Sequence, residues 1–277
     1  MVEYTYALGH SPRELERLSI QTRLVNPITG RFLAAAGIMP GMRILDIGCG
    51  AGDTSFLAAS FVGEAGEVLG ADRSPVAIAQ ARTRAAELSL RNVSFEVGNP
   101  AELEFHGKFD AVMGRYVLMF QPDPVRMLAG VVRHIRPGGI VVFHEPDWSG
   151  VRSMPPVPTY DLVCRWASEV LVASGHNIRM GLRLPATFQA VGLPEPTLRL
   201  DAVIAAGSAA AEAMNIVGDL MPMLLPAIER YGIATTQEVA LETLSARMEQ
   251  EARATGSVVV GRCEIGAWTT VAPTLPG

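Results

Sequence analysis

The stretch that decides the fold is Arg43-Ile44-Leu45-Asp46-Ile47-Gly48-Cys49-Gly50-Ala51-Gly52-Asp53-Thr54. A short apolar run ending in glycines reads as a buried strand, and a helix is expected from about Thr54 to Val62. Glycines at that junction let the backbone turn tightly and let a ligand approach the amides at the helix N-terminus. The next expected strand ends in Gly70-Ala71-Asp72, twenty residues after Gly52. An acid at that distance can take both hydroxyls of an adenosine ribose. A glycine loop alone is a weak signal; loop and acid together point to an adenosine-containing ligand. The dinucleotide spacing Gly-x-Gly-x-x-Gly fails, because the third position is Asp53 counted from Gly48 and Ser55 counted from Gly50. Asp53 also adds negative charge at the helix start, which arranges the helix poorly for approach to a pyrophosphate.

Outward from this stretch the pattern repeats. Residues 67–71, 93–97, 109–113 and 140–144 read as strands, alternating with helices at 75–88 and 124–135. Such alternation implies βαβ units and a parallel sheet covered on both faces. Upstream, residues 11–36 look helical, opened by Ser11-Pro12 with Glu14 in capping-box position, and Pro27 is expected to split them into two helices. Downstream, helices are expected at 160–174, 185–191, 208–229 and 235–253. A strand is expected at 197–203, and Ser257–Val260 with Ala267–Val271 form a final pair or one bulged strand. The expected fold is α/β, a Rossmann-like, seven-stranded, mainly parallel sheet whose last strand runs antiparallel. The domain expectation is a single unit, 1–277, with a helical N-terminal cover (1–40), a cofactor-binding core (41–148) and a substrate-side part (149–277) carrying a helical insertion at about 205–254.

Four segments resemble a known family. Ile44 to Gly52 looks like the first motif of class I S-adenosylmethionine-dependent methyltransferases, and Gly70-Ala71-Asp72-Arg73-Ser74-Pro75 resembles the second. Gly98-Asn99-Pro100-Ala101-Glu102-Leu103 is similar to their adenine-contact loop. Leu128 to Gly139 is similar to the helix and turn before strand five. The likeness is greatest to the ubiquinone/menaquinone-biosynthesis-like small-molecule methyltransferases and covers about residues 40–148. It implies S-adenosylmethionine as cofactor, with Gly48, Cys49 and Gly50 around its methionine part, Asp72 on the ribose, Arg73 over the adenine, and Asn99 at the adenine amino group. Arg115 would offer a backbone carbonyl to the cofactor's ammonium. One departure stands out: Pro100 cannot donate a hydrogen bond, so adenine N1 needs another donor, such as the Ala101 amide. In similar enzymes the N-terminal region folds over the cofactor, which makes Tyr6 and Gln21 candidate contacts.

Composition narrows the partners. The net charge of −5 argues against a nucleic-acid duplex, and no run of 18 apolar residues argues for membrane insertion. Three scattered cysteines, Cys49, Cys164 and Cys263, give neither a disulfide framework nor a metal-ligand pattern, which suits a reducing cytoplasm. No secretory signal is visible at the N-terminus. The expected partner is a small, fairly apolar methyl acceptor, methylated on O, N or C in natural-product or cofactor metabolism; a homodimer is compatible with the sequence.

Two rival functions remain open at this level. One is the same fold recruited for non-methylating chemistry, such as cyclisation or decarboxylation; the other is a non-enzymatic cofactor-binding module. Ligands of open parallel sheets bind beyond the carboxyl ends of the strands. That places Arg115-Tyr116 and His144-Glu145-Pro146-Asp147-Trp148 beside the transferred methyl. Acceptors with an acidic proton need a base, for which His144 and His10 are the candidates. His176 is a further pocket-loop histidine, while His106 and His134 look like surface residues. Met214, Met221 and Met223 are read either as an adaptable lid or as core.

Overall fold

In the computed structural model the backbone is described for residues 12–272 and the side chains for residues 23–272. The helix α1 (Pro12–Ala36) is followed by β1 (Arg43–Ile47), α2 (Asp53–Val62), β2 (Glu67–Asp72), α3 (Pro75–Glu87), β3 (Val93–Val97) and β4 (Phe109–Arg115). Then come α4 (Pro124–Val132), β5 (Ile135–Asp147), β6 (Arg152–Met154), α5 (Pro158–Ala173) and α6 (Met180–Ala190). The chain continues through β7 (Thr197–Ala206), α7 (Ser208–Gly218), α8 (Met221–Arg230), α9 (Thr236–Val239), α10 (Leu241–Thr255) and β8 (Val258–Thr270). The strands are hydrogen-bonded in the order β3-β2-β1-β4-β5-β8-β6, with β7 also on β8. This is the Rossmann-like α/β architecture expected, with the short β6 as an eighth strand.

Several boundaries differ from the sequence reading. Pro27 lies inside an unbroken α1, and Pro185 lies inside α6. Proline removes one donor and crowds one carbonyl, but a long helix held by packing can absorb that. The expected helix at 208–229 is broken at Asp219 and Leu220. The one at 235–253 is broken at Ala240, a non-glycine residue with φ +46°. The final strand is a single element, β8.

The chain divides into two compact units. Among the described residues, one comprises 26–146, 179–200 and 264–272; the other comprises 12–25, 147–178 and 201–263.

In the first unit β1, β2, β3, β4 and β5 are mutually parallel where they pair. The start of β5 meets the end of β8: the Gly138 N–H donates to Val271 O, and the Val271 N–H to Gly139 O. Farther along, His144 of β5 meets Glu264 of β8, so these two strands run in opposite directions. Alternation along each strand sorts side chains onto two cores. Leu45, Val112, Val141 and Phe143 pack with Leu128 of α4 and Phe188 of α6. Ile44, Ala111, Met113, Ile140 and Val142 pack instead with Leu33 of α1 and Ala58 and Val62 of α2. The same alternation places His144 on the α1 side and Glu145 on the α6 side.

In the second unit β6 pairs antiparallel with β8, Arg152 opposite Val260. The helices α5, α7, α8 and α10 bury Met214, Met221, Ile228, Leu244 and Met248. Thr235 caps α9 through a capping box with Glu238.

Candidate active site

The site is built where β1, β2 and β4 end. Gly48, Gly50 and Gly52 all have left-handed backbones, with φ of +62°, +54° and +91°. A side chain at Gly48 would also collide with Val117, whose Cγ2 would lie 2.6 Å from the added Cβ. At Gly52 the obstacle is Phe56, at 2.7 Å. Around Gly50, by contrast, a Cβ would meet no atom of the described residues within 4 Å. The left-handed turn requires glycine by conformation, and its neighbours require it by volume.

Asp72, at the end of β2, ties this loop to the next one. Its Oδ2 accepts from the Gly50 N–H at 3.0 Å and its Oδ1 from the Ser74 N–H at 2.8 Å. A carboxylate has about four acceptor sites, so two remain for a ligand's hydroxyls. Arg84 of α3 pins the loop from the other side, donating to Ala51 O at 2.7 Å and to Asp53 Oδ1 at 2.8 Å. Asp53 is therefore charge-compensated, and its contribution at the start of α2 is smaller than the sequence reading assigned. Cys49 is buried, and burial pushes its thiol well above the ordinary range.

Asp46 is wholly buried, and one of its oxygens, Oδ2, accepts from Thr54 at 2.9 Å and Ser55 at 2.6 Å. The other, Oδ1, is buried without a hydrogen-bond partner. Burial raises the carboxyl to about 6, against the hydroxyl bonds and the Arg115 charge, which lower it. An unpartnered buried acceptor is costly unless a donor arrives.

At the adenine-contact segment Asn99 Oδ1 accepts from the Ala101 N–H at 3.3 Å, so the amide expected to serve adenine N1 already has a partner. Pro100 is buried and Arg73 is exposed. Tyr6 and His10 lie outside the described residues, as does the side chain of Gln21; the backbone places Gln21 in α1.

The ends of β4 and β5 carry a polar network that sequence reasoning only partly foresaw. His144 is 2% exposed. Its Nδ1 lies 3.1 Å from Thr29 Oγ1 and its Nε2 lies 2.9 Å from Glu264 Oε2. Phe32 packs edge-on against its ring. The histidine thus points toward α1, with both ring nitrogens engaged, a direction that strand alternation alone left open. Glu264 Oε2 also accepts from the Tyr116 hydroxyl at 2.7 Å. Arg115 donates to Asn26 Oδ1 at 2.6 Å and to Thr29 Oγ1 at 3.1 Å. Glu264, Thr29 and Asn26 were missed because they sit on the last strand and first helix, far from any motif. Their only sequence signal is a polar residue inside an apolar run.

Glu145 faces the other way. Fully buried, it accepts from the amides of Val117 (2.9 Å), Leu118 (2.7 Å) and Met119 (3.2 Å). Burial pushes it up to about 8, while those three N–H groups pull it down. It fixes the turn after β4, in which Tyr116 adopts φ +55°. His134, read as a surface residue, is buried against Phe105 at the start of β5; His106 is exposed as expected.

In the second unit Trp148 is buried with its indole N–H unpartnered, and Arg262 lies over its ring at 5.5 Å. His176 is partly buried, and burial lowers its pKa. Among the described residues no cluster of His, Cys, Asp or Glu is arranged to hold a metal ion. No single helix there is long and apolar enough to cross a membrane, although α7 and α8 together, bent by 46°, meet the length and composition test.

Comparison with known proteins agrees with this geometry. A family described as a methyltransferase domain matches residues 38–192, more than half the chain. The chain belongs to the class I S-adenosylmethionine-dependent methyltransferases. It is 37% identical over 145 residues to an aklanonic acid methyltransferase from Streptomyces sp. strain C5, covering 52% of this chain and 65% of that protein. It is 31% identical over 192 residues to a 2-phytyl-1,4-naphtoquinone methyltransferase from Synechococcus elongatus, covering 67% of this chain and 79% of that protein. The aligned part thus falls just short of two thirds of the first relative and exceeds it in the second. The fold of the YcgJ protein from Bacillus subtilis is similar, with a TM-score of 0.54 at 18% identity over 88% of this chain and 97% of that chain.

Proposed function

We propose that this protein transfers a methyl group from S-adenosylmethionine to a small, fairly apolar acceptor. The observation that carries the reading is the Asp72 carboxylate bridging the Gly50 and Ser74 amides, where no described residue crowds Gly50. Two further features fit the cofactor. The unpartnered Asp46 Oδ1 is a buried acceptor suited to an ammonium group. The two unused acceptor sites of Asp72 suit a ribose. When bound, S-adenosylmethionine supplies an electrophilic methyl on a sulfonium.

The chain's own residues bind, orient and exclude water. Gly48 to Gly50 and Asp72 hold the cofactor, with Arg73 and the segment Asn99 to Ala101 at its adenine end and the Arg115 carbonyl at its amino end. Tyr6 and Gln21 are proposed as further contacts. Glu145 keeps the turn at 116–119 against the glycine loop, since Val117 touches Gly48. Alignment of donor and acceptor is the main demand of an in-line displacement and can account for roughly 7–11 kcal/mol of the barrier. His144, and His10 beyond the described residues, are proposed to handle the acceptor's proton, His144 through its hydrogen-bonded partners. The aklanonic acid and 2-phytyl-1,4-naphtoquinone named for the relatives support a small-molecule acceptor here too. A cytoplasmic location accords with this role.

Calorimetric titration with S-adenosylhomocysteine tests the reading: one saturable site per chain is expected, and none for NAD. Asp72→Ala is expected to weaken that binding by roughly 1–3 kcal/mol, the loss of charge-assisted hydrogen bonds. Binding of NAD in place of S-adenosylhomocysteine would overturn the assignment.

A further inference from the structure

We propose that Glu145 is a positioning residue for cofactor binding that works only as the carboxylate, so that a proton on Glu145 loosens the turn after β4 and, with it, the glycine loop. This rests on the methyltransferase reading above and adds a pH-sensitive group to that same site.

The turn needs an acceptor that it cannot supply itself. Its carbonyls are served from within: Val117 O accepts from the Phe120 N–H and from Gln121 Nε2, both at 3.2 Å, and Leu118 O accepts from the Gln121 N–H at 3.1 Å. The N–H groups of Val117, Leu118 and Met119 open the turn, where no earlier helical carbonyl is in reach. All three residues are buried, so water does not readily replace an acceptor there. Glu145 takes all three. Its Oε1 accepts from Val117 at 2.9 Å and Leu118 at 2.7 Å, and its Oε2 accepts from Met119 at 3.2 Å. Three donors aimed at one carboxyl group call for its acceptor-only, ionised form.

The turn is seated on the glycine loop. A Cβ added to Gly48 would lie 2.6 Å from Val117 Cγ2, 3.0 Å from its Cγ1 and 3.4 Å from its Cβ. From another side the loop is held by Ala71 O, which accepts from the Gly48 N–H at 2.7 Å and the Cys49 N–H at 3.3 Å. Val117 therefore joins two contacts in one residue: its amide bonds to Glu145, and its side chain closes over Gly48.

Protonation acts on the longest of the three bonds. Oε1 already has two close donors, so an added proton goes to Oε2 and competes with the Met119 N–H for that oxygen. The new O–H also needs an acceptor of its own, on a side of the group that faces donors. Burial opposes the charge and raises the carboxyl to about 8, against the pull of the three amides. Near neutral pH the two forms are thus close in free energy, and a ligand that needs the ordered turn shifts the balance between them.

The ionisable groups on the elements around Glu145 leave this response to it. Arg115 and His144 bond to Thr29 of α1, on the other face of the sheet, and Arg179 and Arg183 of α6 are exposed. Tyr116 donates to Glu264, whose charge raises Glu145 further. Because binding favours the carboxylate, Glu145 has a lower pKa in the bound state. Affinity for the cofactor therefore rises with pH until about 8, and a proton leaves on binding below that point.

Calorimetric titration with S-adenosylhomocysteine at pH 7 and pH 8.5 is the test. Wild type is expected to bind about five- to eightfold more tightly at the higher pH. It should also release protons on binding at pH 7.5, read from buffers of different ionisation enthalpy. Asp46, raised to about 6, completes most of its titration below this window. Glu145→Gln cannot ionise there, so its affinity should change less than twofold across the window and stay at or below the wild-type value at pH 7. Val117→Ala keeps the amides and the carboxylate but removes the two methyls that close over Gly48. Its affinity should likewise change less than twofold, which keeps the test whole if Glu145→Gln does not fold. A wild-type affinity that is flat across the window, or full pH dependence in either variant, would overturn the proposal. Failure of wild type to bind S-adenosylhomocysteine at either pH is a different result and removes the methyltransferase reading itself.

Discussion

The turns that follow β1 and β4 and the helices from Ser208 to Thr255 meet opposite demands. In the turns, polar groups are buried and each needs a named partner: Glu145 serves three amides, Asp72 two, and Asp46 two hydroxyls. In the helices, burial is achieved by apolar side chains such as Met214, Met221 and Met248, whose contacts are non-directional. A ligand site needs the first kind of order, because direction is what distinguishes one ligand from another. The second kind sets stability and tolerates exchange among residues of similar volume. The buried positions of Met214 and Met221 favour the core reading of those methionines over a lid; Met223 is only partly buried.

The sharpest way to break this comparison is Glu145→Ala, which strands three buried amides at once. A loss of roughly 3–5 kcal/mol in unfolding free energy is expected, about 1–3 kcal/mol for each buried amide left without an acceptor, less what relaxation and water recover. Denaturant titration measures it; a loss under 1 kcal/mol would mean that the turn finds other acceptors. On the helical side Met221→Ala should cost about 2–5 kcal/mol by leaving a cavity. Affinity for S-adenosylhomocysteine should stay within a factor of three, and a parallel loss of affinity would tie these helices to the cofactor site.

A pH series separates the two regions further. Asp46 has its folded pKa raised to about 6 from an ordinary 3.8. The folded state therefore holds the proton more tightly, and the stabilisation is full below about pH 4 and lost as pH rises through about 6. The shift corresponds to up to roughly 3 kcal/mol between those limits. Asp46→Asn should flatten that part of the stability profile, whereas Met221→Ala should shift the whole profile down without changing its slope. An unchanged slope in Asp46→Asn would place the titration elsewhere. The smallest effect is expected at Leu200, 57% exposed on β7, where Leu200→Thr should change stability by no more than about 0.5 kcal/mol. A larger loss there would reveal a covering partner.

The legible part of the molecule is the part where local backbone chemistry dictates residue type. Gly48, Gly50 and Gly52 announce left-handed turns, Asp72 announces a polar anchor at a strand end, and period-two apolar runs announce strands. Each signal is contained within a few residues, so the sheet, its glycine loop and the family could be read from the chain. Pro27 and Pro185 misled in the same local terms: proline disfavours a helix interior, yet tertiary packing outweighed that cost.

What the sequence could not determine is what chain-distant residues do when brought together. Glu264 lies 148 residues after Tyr116 and 120 after His144, and nothing near it marks it as a partner of either. Val142 and His144 share a face by alternation, but only the position of α1 beside that face shows that His144 meets Thr29 and Phe32 rather than open space. Local propensity and spacing act over one turn of helix or one strand, whereas burial, hydrogen-bond satisfaction and proton location depend on every element that closes around a group. The first were written in the sequence, and the second arose only when β8 folded back beside β5.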